Sequence, residues 1–456
     1  MKTYWLSFLH ILVAVVIFVA CGVSAAQHTE TVLHTFTFHQ DGGFPLAGLS
    51  LDQSGNLYGV AYFGGYIEGS VCCGTVFQLT KSGNAWTFST IYTFTDGVTD
   101  GEAPSGSVVF DKAGNLYGTT QQGGWCGMAY ELTPSQKGPW KETILHNFNP
   151  FTLLGGTAGD GCDPSSYLIF DQAGNLYGTT QQGGGLGGCN TAGCGSVFEL
   201  SPGSDGKWEE TIIHSFPDGS EDGTDPYGGL VLDKSGNLWG TTLTGGTAGL
   251  GTIFELSPSS NGSWTEKVAF NFISGATGWE PYAGLVMDAE GNFYGTTFYG
   301  GSSGAGLVFK MTPSSDGMLS ETVIHQFEGC TATECPDGFY PFGGLVFDSS
   351  GNLYGSTMYG GASGTACNPP DSELREGCGI VFKLSPAGGQ KWDYSIVYRF
   401  PGDGSGGLLT DDHLAITSSG DIVGTTFVEG DVGSNSICPQ EVLGLGGCGV
   451  VFELTP

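Results

Sequence analysis

Three neighbouring residues carry the side chains best suited to chemistry. Asp411, Asp412 and His413 set a carboxylate pair beside an imidazole, which could share general acid–base work or hold a divalent metal ion. A second set is dispersed. Asp41, Asp100, Asp160, Asp222, Asp337 and Asp403 each precede a glycine. Asp-Gly is first of all turn chemistry. Gathered on one surface, Asp100, Asp160, Asp222 and Asp337 could also bind a ligand, either calcium or the hydroxyls of a sugar. His34, His146, His214 and His325 share one repeat position, where Tyr92, Phe270 and Tyr398 stand in other copies. That pattern reads as a packing position for a ring, because repeat-equivalent residues converge only at an axis.

A repeated frame must hold these residues. "GNLYGTT" stands at 114–120 and again at 174–180, with close copies at Gly55, Gly236, Gly291 and Gly351 and a decayed one at Gly420. The spacings are 59, 60, 62, 55, 60 and 69 residues. Each unit has four short segments rich in Val, Ile, Thr, Phe and Tyr: "GLVFD" (344–348), "NLYGTT", "GTIFELSP" (251–258) and "WEETIIHSF" (208–216). Gly, Pro, Asn and Asp punctuate them, so they read as strands joined by turns. Asp52, Asp111, Asp171, Asp233, Asp288 and Asp348 open the first turn as Asp-x-x-Gly-Asn. Each sits in its own hairpin, so they read as turn residues and not as a shared metal site.

Seven four-stranded units cannot bury their faces alone. Packed radially they make an all-β, seven-bladed propeller. The chain begins its repeats with a fourth segment (30–38) and ends on a third (449–456). The expected ring is therefore closed by the N-terminal strand joining the C-terminal blade. Alternate turns of a meander lie on opposite faces of such a disc. All twelve cysteines other than Cys21 fall in the two-to-three and four-to-one loops, on one face. The expected disulfides are Cys189–Cys194, Cys330–Cys335, Cys367–Cys378, Cys438–Cys448 and Cys126–Cys162, with Cys72–Cys73 the least favoured. Variable loops on a rigid frame are where recognition is expected.

Residues 1–26 read as an export signal: Lys2, an apolar run from Ile11 to Ala20, then small residues. The alternative is a lipoprotein signal, with Phe18–Cys21 as lipobox and Cys21 lipidated. Residues 27–456 then form one propeller domain, secreted, extracellular or periplasmic. Losing Lys2 leaves 12 basic residues against 45 acidic ones, a net charge of −33. That excludes a nucleic-acid backbone as partner. No later segment has the length and apolarity of a transmembrane helix. No His-Glu-x-x-His or P-loop occurs.

"DKAGNLYGTTQQGG" (111–124) and "GTIFELSP" (251–258) resemble the GloVer-type tandem repeat of exported bacterial proteins. The resemblance implies an extracellular repeat protein and brings no catalytic residues with it. "PYGGLVLDKSGNLWG" (226–240) is more loosely similar to NHL-type and streptogramin-lyase-like propellers. That likeness would imply a divalent metal and a catalytic histidine on the disc face, a place only His413 suits. The leading expectation is a monomeric propeller that binds a polysaccharide or another surface partner without catalysis; no cofactor is required, and calcium is the one the acidic loops could hold. A metal-assisted lyase or hydrolase using Asp411, Asp412 and His413 is the alternative, and a structural cell-surface module the third.

Overall fold

The computed structural model describes residues 28–456 except 68–69, 72, 84, 96–98, 136–137, 150–158, 185–188, 190–192, 218–220, 274, 330–335, 362–376, 402–412, 428–437 and 439–446. Residues 1–27, with Cys21 among them, and Cys72, Cys330, Cys335, Cys367, Asp403, Asp411 and Asp412 lie outside the described residues.

Seven four-stranded antiparallel sheets form the ring. Blade four is typical: Val231–Leu232, Leu238–Thr242, Thr252–Pro258 and Trp264–Asn271. Blade seven combines Ala415–Ile416, Ile422–Thr426 and Val450–Thr455 with the N-terminal strand Thr29–Thr35. That strand pairs antiparallel with Val450–Thr455, from Thr29↔Thr455 to Thr35↔Val450. The ring closes as the segment count requires.

Every residue of the repeated heptapeptide has a task. In blade five, Asp288 Oδ1 accepts the backbone N–H groups of Glu290 (3.0 Å) and Asn292 (2.8 Å). Its Oδ2 accepts the Asn292 amide (2.7 Å) and the Tyr294 hydroxyl (3.0 Å). In blade four Trp239 Nε1 replaces the tyrosine and donates to Asp233 at 3.1 Å. Blade seven has lost both partners together, with Thr417 for Asp and Val423 for Tyr. The Leu and Tyr side chains then enter different interblade cores: Leu116 packs with Tyr58 and Val76, Tyr117 with Leu168 and Phe198. The second glycine makes room for a third-strand ring; a Cβ on Gly178 would lie 2.6 Å from Phe198. The first threonine reaches the next blade, as Thr241 Oγ1 donates to Ala283 O (3.2 Å) and Thr425 Oγ1 to Ala47 O (2.9 Å).

A second contact locks blade to blade. Phe44, Ala103, Asp163, Asp225, Glu280 and Tyr340 each precede a proline and have φ of 55–58°. Their N–H groups donate across the interface to the carbonyls of Cys448, Cys73, Cys126, Cys194, Leu250 and Ala305, at 2.8–3.2 Å. The cysteines that stand one residue before a third strand thus supply acceptors at these interfaces. The glycine after each acceptor faces the proline. On Gly251 (φ +99°) a Cβ would lie 2.5 Å from Thr242 O and 2.9 Å from Pro281 Cδ.

Gly251→Ala is expected to cost about 3 kcal/mol, from left-handed backbone strain plus overpacking. Gly236→Ala, with φ of +87° but open space around its Cβ, is expected to cost only about 1 kcal/mol. Denaturant unfolding of the two variants measures the difference.

Candidate functional site: the mouth of the propeller axis

The first strands stand nearest the axis. The position before their leading aliphatic residue is Gly48, Ser107, Tyr167, Gly229, Gly284, Gly344 and His413 in blades one to seven. Five copies are minute because the strands converge there. Tyr167 and His413 fill the space so left, with ring centroids 5.6 Å apart in an edge-to-face arrangement. A Cβ on Gly229 would strike the Tyr167 ring, one on Gly284 would lie 2.9 Å from its hydroxyl, and one on Gly344 would lie 3.4 Å from His413 Cβ.

Both rings line a cavity of about 320 Å³, at the low end for small-molecule sites. Ser105, Gln121, Ser165, Tyr167, Tyr227, Tyr282 and His413 supply its polar lining. Its two sides differ. Tyr227 and Tyr282 line it from blades four and five, 5.6 Å apart, and an arc of half-buried rings continues outside the lining: Tyr282 to Phe342 at 4.7 Å and to Phe298 at 5.2 Å, and Phe298 stacked on Tyr340 at 4.6 Å. Blades two and three instead bring amides and hydroxyls. Gln181 Nε2 donates to Ser165 Oγ at 2.8 Å, and the Tyr62 hydroxyl donates to Gln121 Oε1. His413 is thus placed at the axis, while its expected partners Asp411 and Asp412 fall outside the described residues. Tyr167 escaped the sequence analysis, although it breaks the glycine pattern at the same repeat position as His413.

The loop aspartates and the fourth-strand histidines, treated separately in sequence, meet in space. His34 Nε2 lies 3.1 Å from Asp41, His146 Nε2 2.9 Å from Asp160, and His325 Nε2 3.1 Å from Asp337. In blade one the Tyr92 hydroxyl donates to Asp100 at 3.2 Å. The same carboxylates accept backbone N–H groups from Thr37, Thr95, Asn149 and Glu328, which tie each four-to-one loop to its strand. Asp222 acts electrostatically on His214 and Glu266. The His–Asp separation varies from 7 to 14 residues, which hides the pairing in sequence.

Cys126–Cys162, Cys189–Cys194 and Cys438–Cys448 are disulfides, as expected. Cys73 and Cys378 are disulfide-bonded as well. Disulfides on one face fit an oxidising compartment. Among the described residues two groups could hold a metal ion: Cys126, Cys162 and Asp163, and His146, Asp160 and Glu210. The first is consumed by its disulfide, which leaves no thiolate to ligate. Among the described residues no helix is long and apolar enough to cross a membrane.

Buried glutamates line successive blade interfaces at the rim. Burial pushes the carboxyls of Glu142 and Glu321 up to about 8 and those of Glu210 and Glu266 up to about 7. Each has an Oε1 atom buried without a hydrogen-bond partner.

Fold and axis together define a seven-bladed propeller with a small cavity at its axis, lined by Tyr167, Tyr227, Tyr282 and His413. The model of the Gloeobacter/Verrucomicrobia repeat matches residues 19–191 and 187–438, and the chain belongs to that family. No curated protein matches it. Similar solved structures include the periplasmic gluconolactonase of Pseudomonas aeruginosa, 14% identical with a TM-score of 0.47, over 79% of this chain and 87% of that one. Another is a glucose dehydrogenase-type oxidoreductase of Thermus thermophilus, 14% identical with a TM-score of 0.39, over 94% and 99%.

The rim glutamates make stability depend on pH. Their folded values lie above the ordinary 4.5, so their contribution is full below about 4.5 and is lost as pH rises through about 7–8. Asp41, Asp288 and Asp348 act oppositely. Burial raises each carboxyl, but their hydrogen bonds outweigh it and hold all three below 3.8, so their contribution disappears in stronger acid. The melting temperature is expected to peak near pH 4–5 and fall toward pH 9. Glu321→Gln, which removes one carboxylate with no charge partner, should raise it by roughly one to three degrees at pH 8 and by nothing at pH 4. Differential scanning calorimetry across pH checks both.

Proposed function

We propose that the protein is an exported carbohydrate-binding propeller that holds one end of a glycan at the axial mouth of its cysteine-bearing face. The observation that carries this reading is the composition of the mouth: half-buried rings on one side, amide and hydroxyl groups on the other. A sugar ring has apolar C–H faces and a hydroxyl edge, and such a cleft matches both. Tyr227 and Tyr282 offer flat surfaces of low conformational entropy. Gln121, Ser105 and Ser165 offer donors and acceptors. The cavity of about 320 Å³ is the size for a terminal unit, with the rest of the chain running outward between the loops. Asp100 and Asp337 hold their four-to-one loops, and neither they nor Asp222 belong to the lining of the mouth. Export, in soluble form or through a lipidated Cys21, would put the site among surface or matrix polysaccharides.

His413 in the cavity lining supports the second reading, a lyase or hydrolase working at the same mouth with Asp411 and Asp412. The two readings separate experimentally. A panel of oligosaccharides is screened by thermal shift, since a ligand that binds only the folded protein raises its midpoint, and the strongest is measured by calorimetry. Tyr282→Ala is expected to weaken binding at least 10-fold, about 1.4 kcal/mol. No product should form in the wild type. If products accumulate and His413→Ala stops them while binding persists, the enzyme reading replaces this one. If no sugar shifts the midpoint, the structural-module reading gains.

A further inference from the structure

Among the described residues, the interfaces that have a loop aspartate repeat one geometry at the rim with different residues. A fourth-strand side chain of one blade meets the loop aspartate of its own blade and a fourth-strand side chain of the next. Between blades one and two, one hydroxyl joins both acids: Tyr92 donates to Asp100 at 3.2 Å and to Glu142 at 3.0 Å. Between blades five and six, His325 pairs with Asp337 and stacks on Tyr394 at 4.0 Å. Between blades six and seven, the Tyr398 hydroxyl donates to Glu30 at 2.6 Å. Between blades seven and one, His34 stacks on Phe88 at 3.6 Å. Each of these interfaces is completed by a proton or a ring.

The interface between blades two and three is built differently. An imidazole takes the place of the tyrosine, and two carboxyl groups remain. His146 Nε2 lies 2.9 Å from Asp160 Oδ2, and the other oxygen of Asp160 is fixed by the Asn149 N–H at 2.6 Å. Glu210 enters from blade three, and its Oε1 is buried with no hydrogen-bond partner. One ligand atom from each of the three residues lies within 4.8 Å of the other two. The same three residue types recur one interface further on as His214, Asp222 and Glu266, yet among the described residues that second set does not converge to this degree.

We propose that His146, Asp160 and Glu210 form a binding site for a divalent transition-metal ion of the Zn²⁺ type, clamping blade two to blade three. One imidazole nitrogen and two carboxylate oxygens are ordinary ligands for Zn²⁺ at roughly 2.0–2.2 Å. In a tetrahedral shell of that radius the donor atoms stand roughly 3.3 Å apart. His146 and Asp160 therefore need only a few tenths of an ångström of separation, and Glu210 a small swing inward. A water completes the shell from the solvent side of the rim. Ca²⁺ fits poorly, because it takes roughly 6–8 oxygen ligands and the site presents a nitrogen among few oxygens. The clamp would sit beside the Cys126–Cys162 disulfide, which ties the same two blades two residues after Asp160.

The test uses the mature chain, stripped with EDTA and dialysed against Zn²⁺, with bound metal counted by mass spectrometry and the melting temperature recorded. His146→Phe copies the residue that blade four carries at this position as Phe270, so the fold has a precedent for it. Glu210→Gln keeps shape and removes the charge. The expected result is a saturable rise in melting temperature for the wild type, with one Zn²⁺ fewer per chain and a smaller rise in both variants. His214→Phe should behave as wild type. A wild type that takes no Zn²⁺, or variants that match it in count and shift, would overturn the site. An equal response to Ca²⁺ at this site would overturn the assignment to a transition metal.

Discussion

No blade can stand alone, because both faces of every four-stranded sheet are apolar and must be covered by a neighbour. A linear stack would leave two faces bare. Only a closed ring covers all of them, and closure rests on Thr29–Thr35 pairing with Val450–Thr455. The repeat follows from that single requirement. Leu and Tyr of the second strand point to opposite interfaces. A threonine donates to the next blade's inner strand, and a backbone N–H reaches back to the carbonyl before the third strand. The seven-residue motif recurs because each blade faces the same two neighbours: its first glycine and asparagine build the turn, and its Leu, Tyr and first Thr serve the packing between blades.

Residues that depart from the motif are therefore released from the ring's demands. At the axis, five of seven positions are glycine or serine, and the two exceptions, Tyr167 and His413, meet edge to face and line the cavity. At the mouth, blades four and five bring Tyr227 and Tyr282 where blades two and three bring glutamine and serine. At the rim, a histidine in place of tyrosine leaves two carboxyls without a shared proton donor. Function on such a frame is written in what breaks the symmetry.

Much of the frame was legible in the sequence. Period, strand chemistry and the split blade followed from segment counts, and three disulfides followed from cysteines assigned to one face. The site was legible only in part. His413 stood out because it followed two acids in a degenerate copy. Tyr167 did not, since a tyrosine beside an inner strand looks like ordinary core chemistry until the axis shows how little room its equivalents have. The His–Asp pairs were hidden because loop length varies between blades while the geometry does not. The aromatic arc was hidden for a related reason: Tyr227, Tyr282 and Phe342 each follow a proline in separate units, and only the closed ring brings them into contact.

The most direct measurement is a crystal structure of the mature protein soaked with the oligosaccharide that stabilises it most. A sugar ring against Tyr227 and Tyr282, above Tyr167 and His413, is the expected result. A glycan seated on the opposite face, or along the outer rim, would contradict the claim that the axial mouth is the binding site.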